Sequence, residues 1–122
     1  MTTPQPLPES GADLLDHLLG SLLADFRFWF ERGELLLDLC PDQVMAAADR
    51  RRLRERLRQA TLELAAASSL RQAAPVPMAV GLDAMAPWHQ LVVEVWSLAR
   101  RLRHQQIPLP QLSWPEPPQF RG

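Results

Sequence analysis

Residues Leu14–Cys40 read LLDHLLGSLLADFRFWFERGELLLDLC, and their spacing decides the fold. Leu15, Leu19, Leu22, Phe26, Trp29, Gly33, Leu36 and Cys40 recur at alternating steps of four and three. A helix turning once per 3.6 residues brings such positions onto one side. The spacing therefore predicts one long amphipathic helix, with Ser10 or Asp13 as its N-cap. Gly33 costs about 1 kcal/mol relative to alanine inside a helix. Its place on the seam predicts either close approach by a bulky facing residue or a local break.

Two further blocks carry the same signal. Leu53, Leu57, Ala60, Leu64 and Ala67 form a stripe, with Asp49 as the expected cap and a separate turn or short helix over 41–48. Met85, Trp88, Val92, Val95, Ala99 and Leu102 form another, with Asp83 as the expected cap and Pro87 in the first turn. Arg100, Arg101, Arg103 and His104 near its end suit the helix macrodipole. The prolines at 4, 6, 8, 41, 75, 77, 87 and between 108 and 118 punctuate these blocks. No alternating β-branched run suggests a strand.

The expected fold class is all-α, an antiparallel three-helix bundle with proline-rich, extended termini. Residues 1–9 are expected to be a flexible segment and 10–106 the helical domain. Its helices run over about 11–40, 42–74 with a break near 48, and 84–105; a proline-rich tail follows over 107–122. The expected core holds Leu22, Phe26, Trp29, Leu36, Leu57, Leu64, Trp88, Val92 and Val95.

The chain has 122 residues, enough for one domain with one core. It shows no apolar run long enough for a transmembrane helix and no visible secretory signal. A single cysteine, Cys40, excludes an internal disulfide framework and a multi-cysteine zinc site. All 13 basic residues are arginine, while lysine, asparagine and tyrosine are absent. Codon bias in a GC-rich bacterial genome is the plainer reading of that pattern and selection for arginine's planar, bidentate chemistry the sharper one, so missing lysine is no evidence for phosphate binding. Residues 1–49 carry nine acids against two arginines; residues 50–122 carry eleven arginines against five acids. Either the two parts neutralise each other in the fold, or the basic part meets an anionic partner.

Four features could carry function. Residues 50–58 hold six arginines and one glutamate, and Arg50, Arg54 and Arg58 share a face on which like charges repel. With Arg51 they could steer a partner or an anion; the plainer reading is pairing with acids of the first helix. Phe28, with Leu14 and Leu35, falls nearly opposite the seam, as an exposed binding face or as a face covered by a neighbouring helix or the tail. His89 and Trp96 are less clearly core than Trp88, and His89 reads as a boundary residue more readily than as a pH-sensitive group. Trp114 in its proline context suits a docking peptide, a disordered end, or a tail folded back onto Phe28.

Catalysis is not expected. Asp13 and His17 could share a metal, but no Glu-x-x-His pair, His-Glu-x-x-His, phosphate-binding glycine loop or Gly-x-Ser-x-Gly accompanies them. Cys40 lies on the seam as a small core residue. No cofactor or metal is expected. The sequence points to a non-catalytic interaction or adaptor module with a protein partner or a second copy of the chain. The alternative is a peripheral binder of anionic membrane surface or nucleic acid through the arginines.

Two segments resemble a small uncharacterised cyanobacterial family, a conserved domain of unknown function. They are Asp25-Phe-Arg-Phe-Trp-Phe-Glu-Arg32, followed by Leu36-Leu-Asp-Leu-Cys40, and Ala86-Pro-Trp-His-Gln-Leu-Val-Val-Glu-Val-Trp96. The resemblance spans roughly residues 12–103 and omits both proline-rich ends. It implies a cyanobacterial cytoplasm and, as one setting, the thylakoid surface. It brings no activity, cofactor or catalytic residue with it.

Overall fold

A computed structural model describes residues 7–73 and 82–109. Three helices make the fold: α1 over Leu7–Asp38, α2 over Ala47–Ala73 and α3 over Leu82–His104. No strand occurs among the described residues. The expected all-α, three-helix class is correct.

The helix ends differ from the sequence expectation in instructive ways. Helix α1 begins at Leu7, so Ser10 and Asp13 lie inside it rather than capping it. Pro8 sits in its first turn, where a missing N–H is tolerated. Its C-terminus tightens: the N–H groups of Leu39 and Cys40 donate to the carbonyls of Leu36 and Leu37, at 3.1 and 3.2 Å. One turn follows, as Val44 and Met45 donate to Pro41 O. The expected break near 48 is therefore a turn over 41–45. Arg50 N–H donates to Ala46 O at 2.9 Å, opening α2, so Asp49 is not the cap. It lies in the first turn, where a carboxylate favours the positive end of the macrodipole. Asp83 likewise falls inside α3, and Pro87 lies a turn deeper than expected. The Pro75–Gly81 connection lies outside the described residues.

Helix α3 ends in a Schellman turn. Gln106 takes a left-handed φ of 58°. Gln106 N–H donates to Arg103 O at 2.9 Å, and Ile107 N–H to Leu102 O at 3.0 Å. This reverses the chain, and Ile107 and Leu109 pack against the core.

Contacts give the topology. Asp16 meets Arg71, Glu34 meets Arg58 and Asp38 meets Arg54, so α2 runs antiparallel to α1. Phe26 meets Trp88, while Gly33 faces Val95, so α3 runs parallel to α1 and antiparallel to α2. Gly33 is where all three helices converge. A Cβ there would stand 2.6 Å from Val95 Cγ2 and 3.0 Å from Leu57 Cδ1. The close approach expected at this glycine is present, and α1 continues through it without a break.

Of the expected core, Phe26, Leu36, Leu57, Leu64, Trp88, Val92 and Val95 are buried. Leu22 and Trp29 are corrections: both are half-buried at the margin, while Leu23 and Phe30 take the central places. Helix α1 packs against two neighbours, so its buried arc is broad and takes in Leu23, Phe30 and Leu37 beside seam residues Leu19, Phe26, Leu36 and Cys40. Leu15, on that same seam, is 69% exposed.

Candidate functional site

The arginine cluster is mostly neutralised within the fold. Arg50 pairs with Asp42 at 2.6 Å and donates to Met45 O. Arg54 pairs with Asp38 at 2.7 Å, and Arg58 with Glu34 at 2.9 Å. Arg52 pairs with Asp49. Arg56 grips Glu94 of α3 through both guanidinium nitrogens, at 2.9 and 2.6 Å. Those hydrogen bonds hold the Arg56 pKa above its ordinary value against some desolvation. Arg51 is exposed and forms no ion pair among the described residues. Acids of the first 49 residues thus meet arginines of the later part, and the repulsion along 50, 54 and 58 is offset internally. Such largely exposed pairs contribute about 0–1 kcal/mol each, so they set register more than stability.

Residues at the three predicted contact positions do not share one environment. Phe28 is half-buried, with its ring edge-on to Trp29 at 5.3 Å. Leu35 is also half-buried, whereas Leu14 is 57% exposed. Trp29 leads on, edge-to-face at 5.7 Å, to Trp96 of α3, which is 46% exposed beside exposed Val93. Phe28, Trp29 and Trp96 therefore form a continuous aromatic run across the α1–α3 surface. Trp88 belongs to the core and donates its indole N–H to Glu63 at 3.2 Å. His89 is exposed, its ring edge against Phe26 at 5.3 Å, in keeping with a boundary residue. Trp114 lies outside the described residues.

Two exposed leucines, Leu15 and Leu18, were not among the contact positions named from the sequence. Trp88 lies level with Phe26 and Val95 with Gly33, so the first residue of α3 comes level with about Gly20. Before that level α1 extends for about 20 Å. Leu15 and Leu18 point to the side that α3 covers further along, and both stay exposed, Leu18 at 53%. The signal was present as unequal block lengths: the proline-free run containing α1 is longer than the one containing α3.

Among the described residues, the candidate reactive groups lie apart. Asp13 and His17 are exposed, and the described residues hold no group of three or more potential metal ligands. Cys40 is buried; desolvation pushes its thiol pKa up, with Arg50 and Arg101 partly opposing. Burial also lowers the pKa of the Arg32 guanidinium. An open groove of about 630 Å³ between α2 and α3 is floored by Ala60, Trp88 and Leu91 and edged by Arg56 and Glu63. It brings together no nucleophile and base.

Residues 9–104 match the family described as protein of unknown function DUF2605. The chain belongs to that family. The match covers both motif segments that carry the sequence resemblance, and the resemblance to an uncharacterised conserved domain is correct. No curated protein matches the chain, and no solved structure matches it.

Proposed function

We propose that this member of DUF2605 is a non-catalytic interaction module that binds a partner protein through the overhanging half of α1. The observation that supports this reading is the exposure of Leu14, Leu15 and Leu18 ahead of the start of α3. Leu15 and Leu18 continue the side of α1 that packs against α3. The complementary ligand is therefore an amphipathic helix that extends the bundle where α3 has not begun. A second copy of the chain could supply that helix. The setting we propose is the cytoplasm, with the thylakoid surface as one location. Among the described residues no helix is long and apolar enough to cross a membrane.

The competing reading, an anionic membrane or nucleic-acid binder acting through Arg50, Arg51, Arg54 and Arg58, has less support. Three of those four guanidinium groups are engaged by Asp42, Asp38 and Glu34.

The test is affinity capture from a nuclease-treated cyanobacterial lysate at low and high salt, with wild type beside Leu15→Glu/Leu18→Glu. Both positions are exposed, so the variant should keep its helicity and Tm. The reading expects one stoichiometric protein, a second copy included, that survives high salt and is lost with the variant. Identical capture by both forms would overturn it. Capture of only salt-sensitive anionic material would favour the arginines.

A further inference from the structure

Along α2, Arg50, Arg52, Arg54, Arg56, Arg58 and Arg71 each meet a carboxylate. The end of α3 is different. Residues 95–109 include Arg100, Arg101, Arg103 and His104 and no acid. None of these four forms an ion pair among the described residues. Arginines at a helix end ordinarily bind its last carbonyls. Here the carbonyls of Arg101, Leu102 and Arg103 accept from the N–H groups of Gln105, Ile107 and Gln106, at 3.1, 3.0 and 2.9 Å. The macrodipole favours cations at this end, but it supplies only about half a negative charge. Three guanidinium groups exceed that.

Two of those guanidinium groups line a depression. Gln43, Val44, Arg100, Arg101, His104 and Gln105 bound about 380 Å³ between the end of α3 and the 41–45 turn. Its lining carries no carboxylate. Asp42, the one acid among residues 39–48, is held by Arg50 at 2.6 Å. Arg101 donates to Val44 O. Val44 is buried, and its own N–H donates to Pro41 O at 3.0 Å. One guanidinium is therefore positioned before any ligand arrives, and most of its N–H donors remain free for one.

We infer that this depression binds a phosphate monoester of small-molecule size. Guanidinium forks match phosphate oxygens bidentately. The donors come from two elements, Gln43 on the turn and Arg100, Arg101, His104 and Gln105 on α3. A phosphate offers three terminal oxygens to such a divergent set, where a carboxylate offers two. The volume falls in the lower part of the range for ligand sites, about 300–1,000 Å³, so a small organic group fits beside the phosphate. Val44 gives that group an apolar wall. A soluble ester and the headgroup of phosphatidic acid share this chemistry. The site lies at the opposite end of the bundle from Leu15 and Leu18, so the inference stands without the interaction reading.

Titration of the full ¹⁵N-labelled chain with glycerol 3-phosphate at about 150 mM salt, where long-range surface attraction is screened, tests it. Flotation with phosphatidylcholine vesicles, with and without phosphatidic acid, forms the second arm. The inference expects saturable shifts at the Arg100 and Arg101 Nε–H groups and at the amides of Gln43, Val44 and Gln105. Arg100 is exposed, so Arg100→Gln should keep its Tm while weakening binding about tenfold, as for a lost charge-assisted hydrogen bond. Arg51→Gln and Arg103→Gln, outside the lining, should stay within about twofold of wild type. Saturation by glycerol 3-phosphate assigns the site to a soluble ester. Flotation only with phosphatidic acid, lost in Arg100→Gln, assigns it to the headgroup. Failure of both arms would overturn the inference. So would equal weakening by Arg51→Gln, Arg103→Gln and Arg100→Gln, which would show a diffuse cationic surface in place of a site.

Discussion

The two halves of α1 follow one sequence rule and meet different fates. Leu15 and Leu36 both lie on the seam spaced at fours and threes. Leu36 is fully buried, whereas Leu15 is 69% exposed. The C-terminal half is enclosed by α2 on one side and α3 on the other. The N-terminal half has α2 alongside it, tied by Arg71 to Asp16, but precedes the start of α3. Periodicity specifies the direction in which a side chain points. Whether a neighbour stands at that level depends on the lengths and offset of the other helices.

Leucine truncation gives the largest contrast. Leu36→Ala should destabilise by about 2–5 kcal/mol, through lost burial and a cavity in a close-packed region. Leu15→Ala should stay within about 0.5 kcal/mol, as for an exposed position. Urea denaturation of both variants measures the difference. A large loss at Leu15 would mean that the N-terminal half is enclosed in solution, and the comparison would fail.

The glycines sharpen it further. Gly33→Ala gains helix propensity but drives a methyl into Val95 and Leu57, both fully buried. The expected net loss is about 1–3 kcal/mol. Gly11 has no atom within 4 Å of a built Cβ. Gly11→Ala should therefore stabilise by up to about 1 kcal/mol, seen as a rise in Tm. Opposite signs for one substitution in one helix would be hard to explain without unequal coverage.

This contrast also shows what was legible in the residues. The three helices, the close approach at Gly33 and the pairing of acidic and basic parts followed from spacing and charge. The centre of the α1 seam did not, since Leu22 and Leu23, or Trp29 and Phe30, differ by only one step around the helix. A helix packed against two neighbours buries a wide arc, and the spacing fits either member of each pair. Asp49 and Asp83 were misplaced as caps because a helix start depends on where the preceding backbone turns. Leu14 was found as a surface residue because it lies off the seam; Leu15 and Leu18 were missed because the overhang is a property of the assembled bundle.

Cys40 gives a smaller, pH-dependent effect at the packed end. Burial raises its thiol pKa, so the folded state favours the neutral thiol. Its stabilising contribution is fully present below the unfolded thiol pKa and is lost as pH rises through the folded value. Stability should therefore fall more between neutral pH and about pH 9.5 in wild type than in Cys40→Ala. Equal pH dependence of the two proteins would contradict a buried thiol.

The smallest expected effects separate the two halves by their polar ties. Arg58 meets Glu34 from a mostly exposed side chain, where the surrounding core already holds α1 and α2 together. Arg58→Ala should cost about 0–0.5 kcal/mol. Arg71 is more enclosed and donates through Nε and Nη2 to both the carboxylate and the backbone carbonyl of Asp16. It also lies across Gly20, where a Cβ would stand 2.7 Å from its Nη2. Arg71 thus ties the end of α2 to the N-terminal half of α1 on the side away from exposed Leu15 and Leu18. Arg71→Ala should cost about 1 kcal/mol overall. Its sharper signature is local: amide exchange should accelerate over residues 16–24 and remain unchanged around Gly33. Uniform acceleration along α1 would show that the two halves open together, as one cooperative unit rather than as a packed end and a tethered end.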